Sequence, residues 1–381
     1  MKLIKRNNDV IAGQKDLINL YCFKKFPVFM GSTNQKKKDA LLADMSWDIS
    51  KSSGVIQLNP LLPLEIIYQE NHGSGCVGNL WKQHHQAFAE FVHQFGFKTV
   101  LEIGGLHGIL SKLYCELDNK KDIDWTIIEP NPIPAEGVTA NFIRGYFDEE
   151  FKLDKEVDAV LHSHVFEHIY DPHTFLKHIN NFLPDGKYHL FSLPNLEEML
   201  KRKYTNALNF EHTIFLTEPY IEYLLHQYNF RIVSRKYFKE DHSIFYACIR
   251  ESSVQPTKLP TGLFAHNKQL FLEYVDHHVN LVRDLNSKIE NLEKNHKLYL
   301  FGAHIFSQYL INFGLNVERI ENILDNDSEK QGKYLYGTDL TVASPKILRD
   351  EKNPTVILRA GIYNEEIKQA IEKINSKTNF F

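Results

Sequence analysis

Paired cysteines, basic charge and long apolar runs are what this sequence lacks. Its four cysteines, Cys22, Cys76, Cys115 and Cys248, lie far apart and include no C-x-x-C pair. That spacing excludes a disulfide scaffold and a closed cysteine–zinc site, and a reducing, cytoplasmic setting is the expectation. The formal net charge of −4 leaves no basic field, so nucleic acid is not an expected partner. No uninterrupted apolar stretch approaches the roughly 18–20 residues that span a bilayer. The polar start, Lys2 to Asp9, lacks the apolar core of a secretion signal, and no membrane partner is expected. Metal motifs are missing as well. The adjacent pairs His84-His85 and His277-His278 would point to different helix faces, and no H-E-x-x-H pattern occurs among the nineteen histidines. The expectation is a reaction without a metal.

What is present is a globular composition, 43% hydrophobic and 24% charged over 381 residues, enough for two or three domains. Residues 1–78 carry β-like runs at 26–31 and 54–58, a polar stretch between them and no long helix pattern, and read as a small β-rich module. A helix begins near Leu80, with Trp81, His85, Phe88 and Val92 at helical spacing. Within 79–250 strand and helix signals alternate, which predicts an α/β fold with a mostly parallel, Rossmann-like sheet. Its strands are expected at 98–103, 124–129, 157–162, 187–193, 230–236 and 244–249, the last two as an antiparallel pair at the edge. Residues 251–295 read as a linker containing Pro256 and Pro260, followed by a connecting helix from about 264. A second, smaller Rossmann-like unit fills 296–381, with a strand near 297–303, a helix over 304–313, a strand ending at Asp325, another at 355–359 and a helix near 364–374.

The most informative stretch runs from Leu101 to Gly108. A strand ends at Glu102, a turn containing Gly104 and Gly105 follows, and a helix starts near Gly108. Such a turn lets backbone approach a ligand at the carboxyl edge of a sheet. A dinucleotide fingerprint would place glycine where Ile103 stands, and Glu102 would repel a pyrophosphate. S-adenosylmethionine carries an ammonium and a sulfonium and no phosphate, so E-x-G-x-x-x-G favours it as the cofactor. Glu129, ending the second strand, is placed to accept bonds from two ribose hydroxyls, a role that both cofactor classes share. Tyr146 and Phe147 are candidates to flank the adenine, against the plain reading of core aromatics at a strand end.

The strand at 157–162 leads into Ser163 and His164, expected beside the methyl donor. Glu167 and His168 follow, either orienting the next loop or touching substrate. A second Glu-His pair, Glu211 and His212, lies after the strand at 187–193 on the side where the methyl group would be presented. The glutamate would hold the tautomer of the imidazole and raise its basicity, which makes His212 the candidate base. A pair of this kind is also a common surface pattern. His242, on the loop before the last strand, is a further catalytic candidate.

In this order of features the chain resembles the sugar C-methyltransferase family, whose members methylate carbon 3 of nucleotide-linked 4-keto-deoxysugars. The resemblance rests on Glu102 to Gly108, on Phe210-Glu211-His212 in the place of a His-Glu-His signature, and on a C-terminal string. In that string Asp325, Lys330 and Gly332 resemble an Asp-x-x-x-x-Lys-Gly-type turn, followed by Ser344-Pro345. It implies three parts: an N-terminal zinc module, a central S-adenosylmethionine domain and a C-terminal Rossmann-like domain. It also implies His212 as the base and a sugar nucleotide held between the last two, with His72, Ser74, His168 and Asn195 as substrate contacts. The chain departs from the family at 45–58, where the zinc cysteines are absent, and at Phe210. Sugar O-methylation with the same donor, a non-catalytic cofactor-binding module and a dinucleotide oxidoreductase are the rival readings.

Overall fold

The computed structural model describes residues 2–68, 78–118, 122–293 and 295–381. Near the N-terminus, Leu17–Pro27 (β1), Leu42–Ser50 (β2) and Ile56–Leu58 (β3) form an antiparallel sheet in that order. Along β2 the side chains of Met45, Trp47 and Ile49 are buried, at the two-residue period of a half-covered strand. The polar stretch between the two apolar runs thus holds a nine-residue strand that the sequence reading passed over.

Helix α1 (Asn79–His93) leads into the central sheet. It buries Leu80, His84, Phe88, Phe91 and Val92, so the histidine on its inner face is His84, where the spacing had suggested His85. The chain continues through β4 (Thr99–Ile103), α2 (Ile109–Asp118), β5 (Asp124–Glu129), β6 (Asn141–Arg144) and β7 (Ala159–Ser163). It closes the sheet with α3 (Pro172–Phe182), β8 (Tyr188–Pro194), α4 (Leu196–Lys201), α5 (Glu218–Gln227), β9 (Phe230–Phe238) and β10 (Ser243–Arg250).

The seven strands lie in the order β9-β10-β8-β7-β4-β5-β6. β8, β7, β4, β5 and β6 run parallel, and β10 and β9 pair antiparallel beyond β8. This is the Rossmann-like α/β architecture, with an antiparallel edge. β4 is flanked by β5 on one side and β7 on the other, so the chain order reverses there and a crevice opens at its carboxyl end. Four of its five residues, Val100 to Ile103, are buried, as a strand covered on both faces requires. β6 was missed in sequence because its four residues alternate weakly and half of them are exposed.

Helix α6 (Leu263–Asn291) spans 29 residues and serves two cores. Leu270, Phe271, Tyr274 and Val275 pack with Trp47 and Ile49 of β2, whereas Val282, Leu285 and Ile289 pack with the C-terminal strands. Those strands are β11 (Leu298–Phe301), β12 (Ile320–Leu324), β13 (Val342–Ala343), β14 (Thr355–Ile357) and β15 (Asn379–Phe380). They form a parallel sheet in the order β13-β12-β11-β14-β15, with α7 (Ile305–Asn312) and α8 (Asn364–Ile374) between strands.

The N-terminal segment ties the two α/β units together. Ser32–Thr33 pairs with Tyr334–Leu335, the Gln308 amide donates to Phe29 O at 2.9 Å, and the Tyr309 hydroxyl donates to Leu208 O at 2.6 Å. Among the described residues no helix is long and apolar enough to cross a membrane.

Candidate active site

β4 ends beneath a turn that suits glycine. Gly104 and Gly108 have φ of +75° and +68°, the left-handed region that side chains disfavour. The Gly104 N–H donates to Ile128 O at 3.0 Å, pinning the turn to β5. Gly105 is constrained differently, because a Cβ there would lie 2.6 Å from the Glu102 carboxylate. Glu102 is 4% exposed and accepts a hydrogen bond from Trp125 Nε1 at 2.8 Å. Burial pushes its carboxyl up to about 7, and Glu129 adds to the rise. Glu129 accepts the Asn131 N–H at 3.0 Å and is itself raised by burial. Residues 133–135 brace the far side of the turn, with Ile133 N–H donating to Leu106 O and Ala135 N–H to His107 O. The crevice therefore offers glycine backbone and two carboxylates, a donor set that fits a cationic, hydroxyl-bearing ligand.

A histidine-rich wall faces this turn. His164, just beyond β7, has φ of +53°, and its N–H donates to Ser192 O on β8 at 2.8 Å. A Cβ on Gly104 would meet Val165 Cγ2 at 2.8 Å, so the glycine turn and the histidine turn share a boundary. Glu167, in the short helical turn Phe166–His168, is 0% exposed, and among the described residues neither carboxylate oxygen has a hydrogen bond. Its Oε1 lies 3.4 Å from His164 Nδ1 and 3.8 Å from His168 Nε2.

The 209–213 loop completes the wall. Asn209 Oδ1 accepts the N–H groups of both Glu211 and His212, at 2.7 and 2.8 Å, which folds the loop into a tight turn. His212 Nδ1 donates to Ala207 O at 2.8 Å, leaving the lone pair on Nε2. Burial lowers the His212 pKa, and Glu167 partly offsets the drop. The rings of His168 and His212 lie 5.3 Å apart. One ligand atom from each of Glu167, His168 and His212 falls within 4.8 Å of the others.

A family model for a methyltransferase domain matches residues 80–235, the segment that builds both the glycine turn and this wall. A second, for a C-methyltransferase C-terminal domain, matches residues 264–381. The chain is an S-adenosylmethionine-dependent methyltransferase. The second match is of the C-methyltransferase type and is confined to the C-terminal unit. No curated protein matches it. Solved structures similar to it include an O-methyltransferase family protein from Burkholderia thailandensis, 11% identical with a TM-score of 0.36. That likeness covers 46% of this chain and 57% of the other, so the chain spans little more than half of that protein's length. The 1,6-didemethyltoxoflavin-N1-methyltransferase of B. thailandensis is 15% identical with a TM-score of 0.35, over 46% of this chain and 82% of its own. The N-methyltransferase NodS from Bradyrhizobium japonicum WM9 is 13% identical with a TM-score of 0.34, over 47% and 100% respectively.

In this methyltransferase several residues sit elsewhere than the sequence suggested. Phe147 points into an aromatic cluster with Phe151, Phe175, His178 and Phe182, which removes it from the crevice, whereas Tyr146 is 52% exposed. Asn195 is engaged structurally: Oδ1 caps α4 at the Glu198 N–H and Nδ2 donates to Glu240 O. Glu211 does not hold the His212 tautomer, since Ala207 O does; its carboxylate lies 3.9 Å from His168 Nδ1. His242 is 4% exposed and lies apart from the Glu211 turn, in a cluster with His84, His164 and the Trp81 indole. His72 and Ser74 lie outside the described residues.

Three residues that sequence reasoning did not single out position the wall. Arg6 is buried and donates to Thr213 O at 2.7 Å and Tyr170 O at 2.6 Å, clamping the loops on either side of Glu167 and His212. Asn209 shapes the Glu211–His212 turn, and the Tyr68 hydroxyl lies 3.3 Å from His168 Nδ1. Only the Asn209-Phe-Glu-His spacing, an Asx-turn pattern, left a signal of this in the sequence.

Proposed function

We propose that the methyltransferase acts on a sugar, carried as a nucleotide-linked keto-deoxysugar, and that carbon is the methyl acceptor. The observation that carries this reading is His212. Its Nδ1 is fixed by Ala207 O, so its Nε2 is left to accept a proton beside the Glu167 carboxylate. The match of residues 264–381 to a C-methyltransferase C-terminal domain supports carbon as acceptor.

In this reading Gly104, Gly105 and Gly108 let backbone close on the donor, Glu102 balances its positive charge, and Glu129 takes the ribose hydroxyls. S-adenosylmethionine, when bound, supplies an electrophilic methyl group on a sulfonium. Ser163 and His164 flank it from the end of β7. His212 removes the proton from the carbon beside the ketone, onto Nε2, while Nδ1–H stays on Ala207 O. Glu167 stabilises the imidazolium that forms, and His168 and Glu211 border the space for the sugar. Holding donor and acceptor in contact supplies much of the remaining rate.

The test is proton exchange. Wild-type protein given S-adenosylhomocysteine and a keto-sugar nucleotide in D₂O should exchange the proton beside the ketone, and His212→Ala should not. The same variant should lose at least ~100-fold in turnover while binding S-adenosylmethionine normally. Methyl transfer without exchange in the wild type would move the acceptor to a hydroxyl oxygen. Full activity in His212→Ala would remove this residue from the site.

A further inference from the structure

We infer that His84, His164 and His242 form a binding site for a zinc-class divalent cation, with Glu167 as the outer partner of His164. The three histidines come from α1, the turn after β7 and the turn before β10, and one ring nitrogen from each lies within 4.8 Å of the others. Three neutral imidazoles around one point suit zinc or cobalt better than magnesium or calcium.

Two features of the interior acquire a reason in this arrangement. His84 is 0% exposed, bonds Ser192 Oγ through Nε2 at 2.9 Å, and leaves Nδ1 with no partner among the described residues. A ring with one nitrogen bonded to a protein group and the other unpartnered is in the state of a metal ligand. The Glu167 carboxylate is equally buried and unpartnered, 3.4 Å from His164 Nδ1. It would accept that N–H, an outer carboxylate that orients a ligand and raises its basicity, while a cation at His164 Nε2 would replace the Ser243 hydroxyl there. Ser243 Oγ, 3.0 Å from His164 Nε2 and 2.6 Å from His242 Nδ1, holds these two rings together. The Trp81 ring packs edge-on against both, at 4.9 and 5.0 Å, and covers the cluster.

This deepens the reading given above and rests on it for its role: a substrate oxygen in the fourth position would be polarised, making the neighbouring C–H more acidic for His212. The alternating group of Glu167, His168 and His212 is the competing location for the same ion. His212 is committed there as the proton acceptor, so the three-histidine group is the one assigned.

Chelator-treated full-length protein is titrated with Zn²⁺ by calorimetry and with Co²⁺ by visible spectroscopy. One equivalent at micromolar affinity or better, with the intense d–d bands of tetrahedral Co²⁺, is expected. His242→Gln and His84→Gln should each weaken binding at least ~100-fold, and Glu167→Gln by ~10–100-fold. His212→Ala should leave the affinity and the bands unchanged. Circular dichroism and S-adenosylhomocysteine binding show whether each variant is folded, and His164→Gln replaces the buried His84 variant if that one is not. No stoichiometric binding by the wild type would overturn the assignment. So would binding lost in His212→Ala and kept in His242→Gln, which would place the ion beside His168. Neither result depends on turnover, so the proton-exchange reading of His212 stands or falls separately.

Discussion

The two α/β units of this chain repeat one backbone device and finish it differently. In each, a strand ends at a glycine of positive φ, Gly104 at +75° and Gly302 at +103°, and a helix follows. Each glycine N–H donates to the strand beside it, Gly104 to Ile128 O and Gly302 to Leu324 O, and each neighbouring strand runs out into an acid, Glu129 or Asp325. There the likeness stops. Asp325 is filled from within: it accepts the N–H groups of Ala303 and Asp327, and the Lys330 ammonium sits 3.2 Å away. Among the described residues Glu129 accepts the Asn131 N–H alone, and a second buried carboxylate, Glu102, lies below the turn. The same frame can thus be a ligand crevice or a closed structural corner, and side chains of the acid's own loop decide which.

The comparison breaks most visibly at the glycines. Gly104→Val combines a forbidden φ with a Cβ 2.8 Å from Val165, and should lower S-adenosylmethionine affinity at least ~100-fold by calorimetry. Gly302→Val should leave that affinity within ~2-fold. Equal losses in both would mean that the two corners share one ligand.

The next effect concerns charge under the first turn. Burial lifts the Glu102 carboxyl from the ordinary 4.5 to about 7, so the folded protein without ligand holds this proton more tightly than the unfolded chain. The sign follows: the stabilising contribution is complete below about 4.5 and is lost as pH rises through about 7, on the order of 3 kcal/mol in all. Glu102→Gln should flatten that slope in pH-dependent thermal melts. Binding of the cationic cofactor near pH 7 should release a proton in the wild type, seen as a buffer-dependent binding heat, and not in the variant. A slope that survives in Glu102→Gln would assign it to another group.

A smaller contrast separates the two strand-end acids. Glu129→Gln should weaken S-adenosylmethionine about 10-fold and leave the melting temperature unchanged to about one degree. Asp325→Asn should do the reverse, keeping affinity and lowering the melting temperature by a few degrees as its three donors lose a charged acceptor. The smallest effect expected is for Gly302→Ala. Its Cβ would meet nothing closer than Phe306 and Ser307 at 3.9 Å, so only the backbone conformation is penalised, by about 1 kcal/mol in chemical denaturation.

Much of the first corner was legible in the chain. The run from Leu101 to Gly108 joins an apolar strand, a glycine turn and a helix start within eight residues, and Glu129 follows at the end of the next strand. Local pattern suffices there because parallel strands and their turns are contiguous in sequence. β6 escaped because it pairs along one edge only and buries little. Phe147 was misjudged because an aromatic just past a strand end can turn to either face, and the cluster that receives it comes from α3.

The histidines mark the boundary of what sequence can say. Composition and order alone determined an α/β chain with a glycine turn over a carboxylate, and hence a cationic cofactor, because those features are written within single βα units. Which imidazoles meet was decided by the tertiary structure. His84, His164 and His242 are separated by roughly eighty residues at each step; the register of β8 with β7 and β10 brings the last two together, and α1 lays His84 against Ser192 of β8. The tautomer of His212 was settled the same way, by Ala207 O and by the Asn209 turn that Arg6 clamps in place from the far end of the chain. A proton acceptor needs neighbours that fix its lone pair and tune its charge, and only folding supplies them.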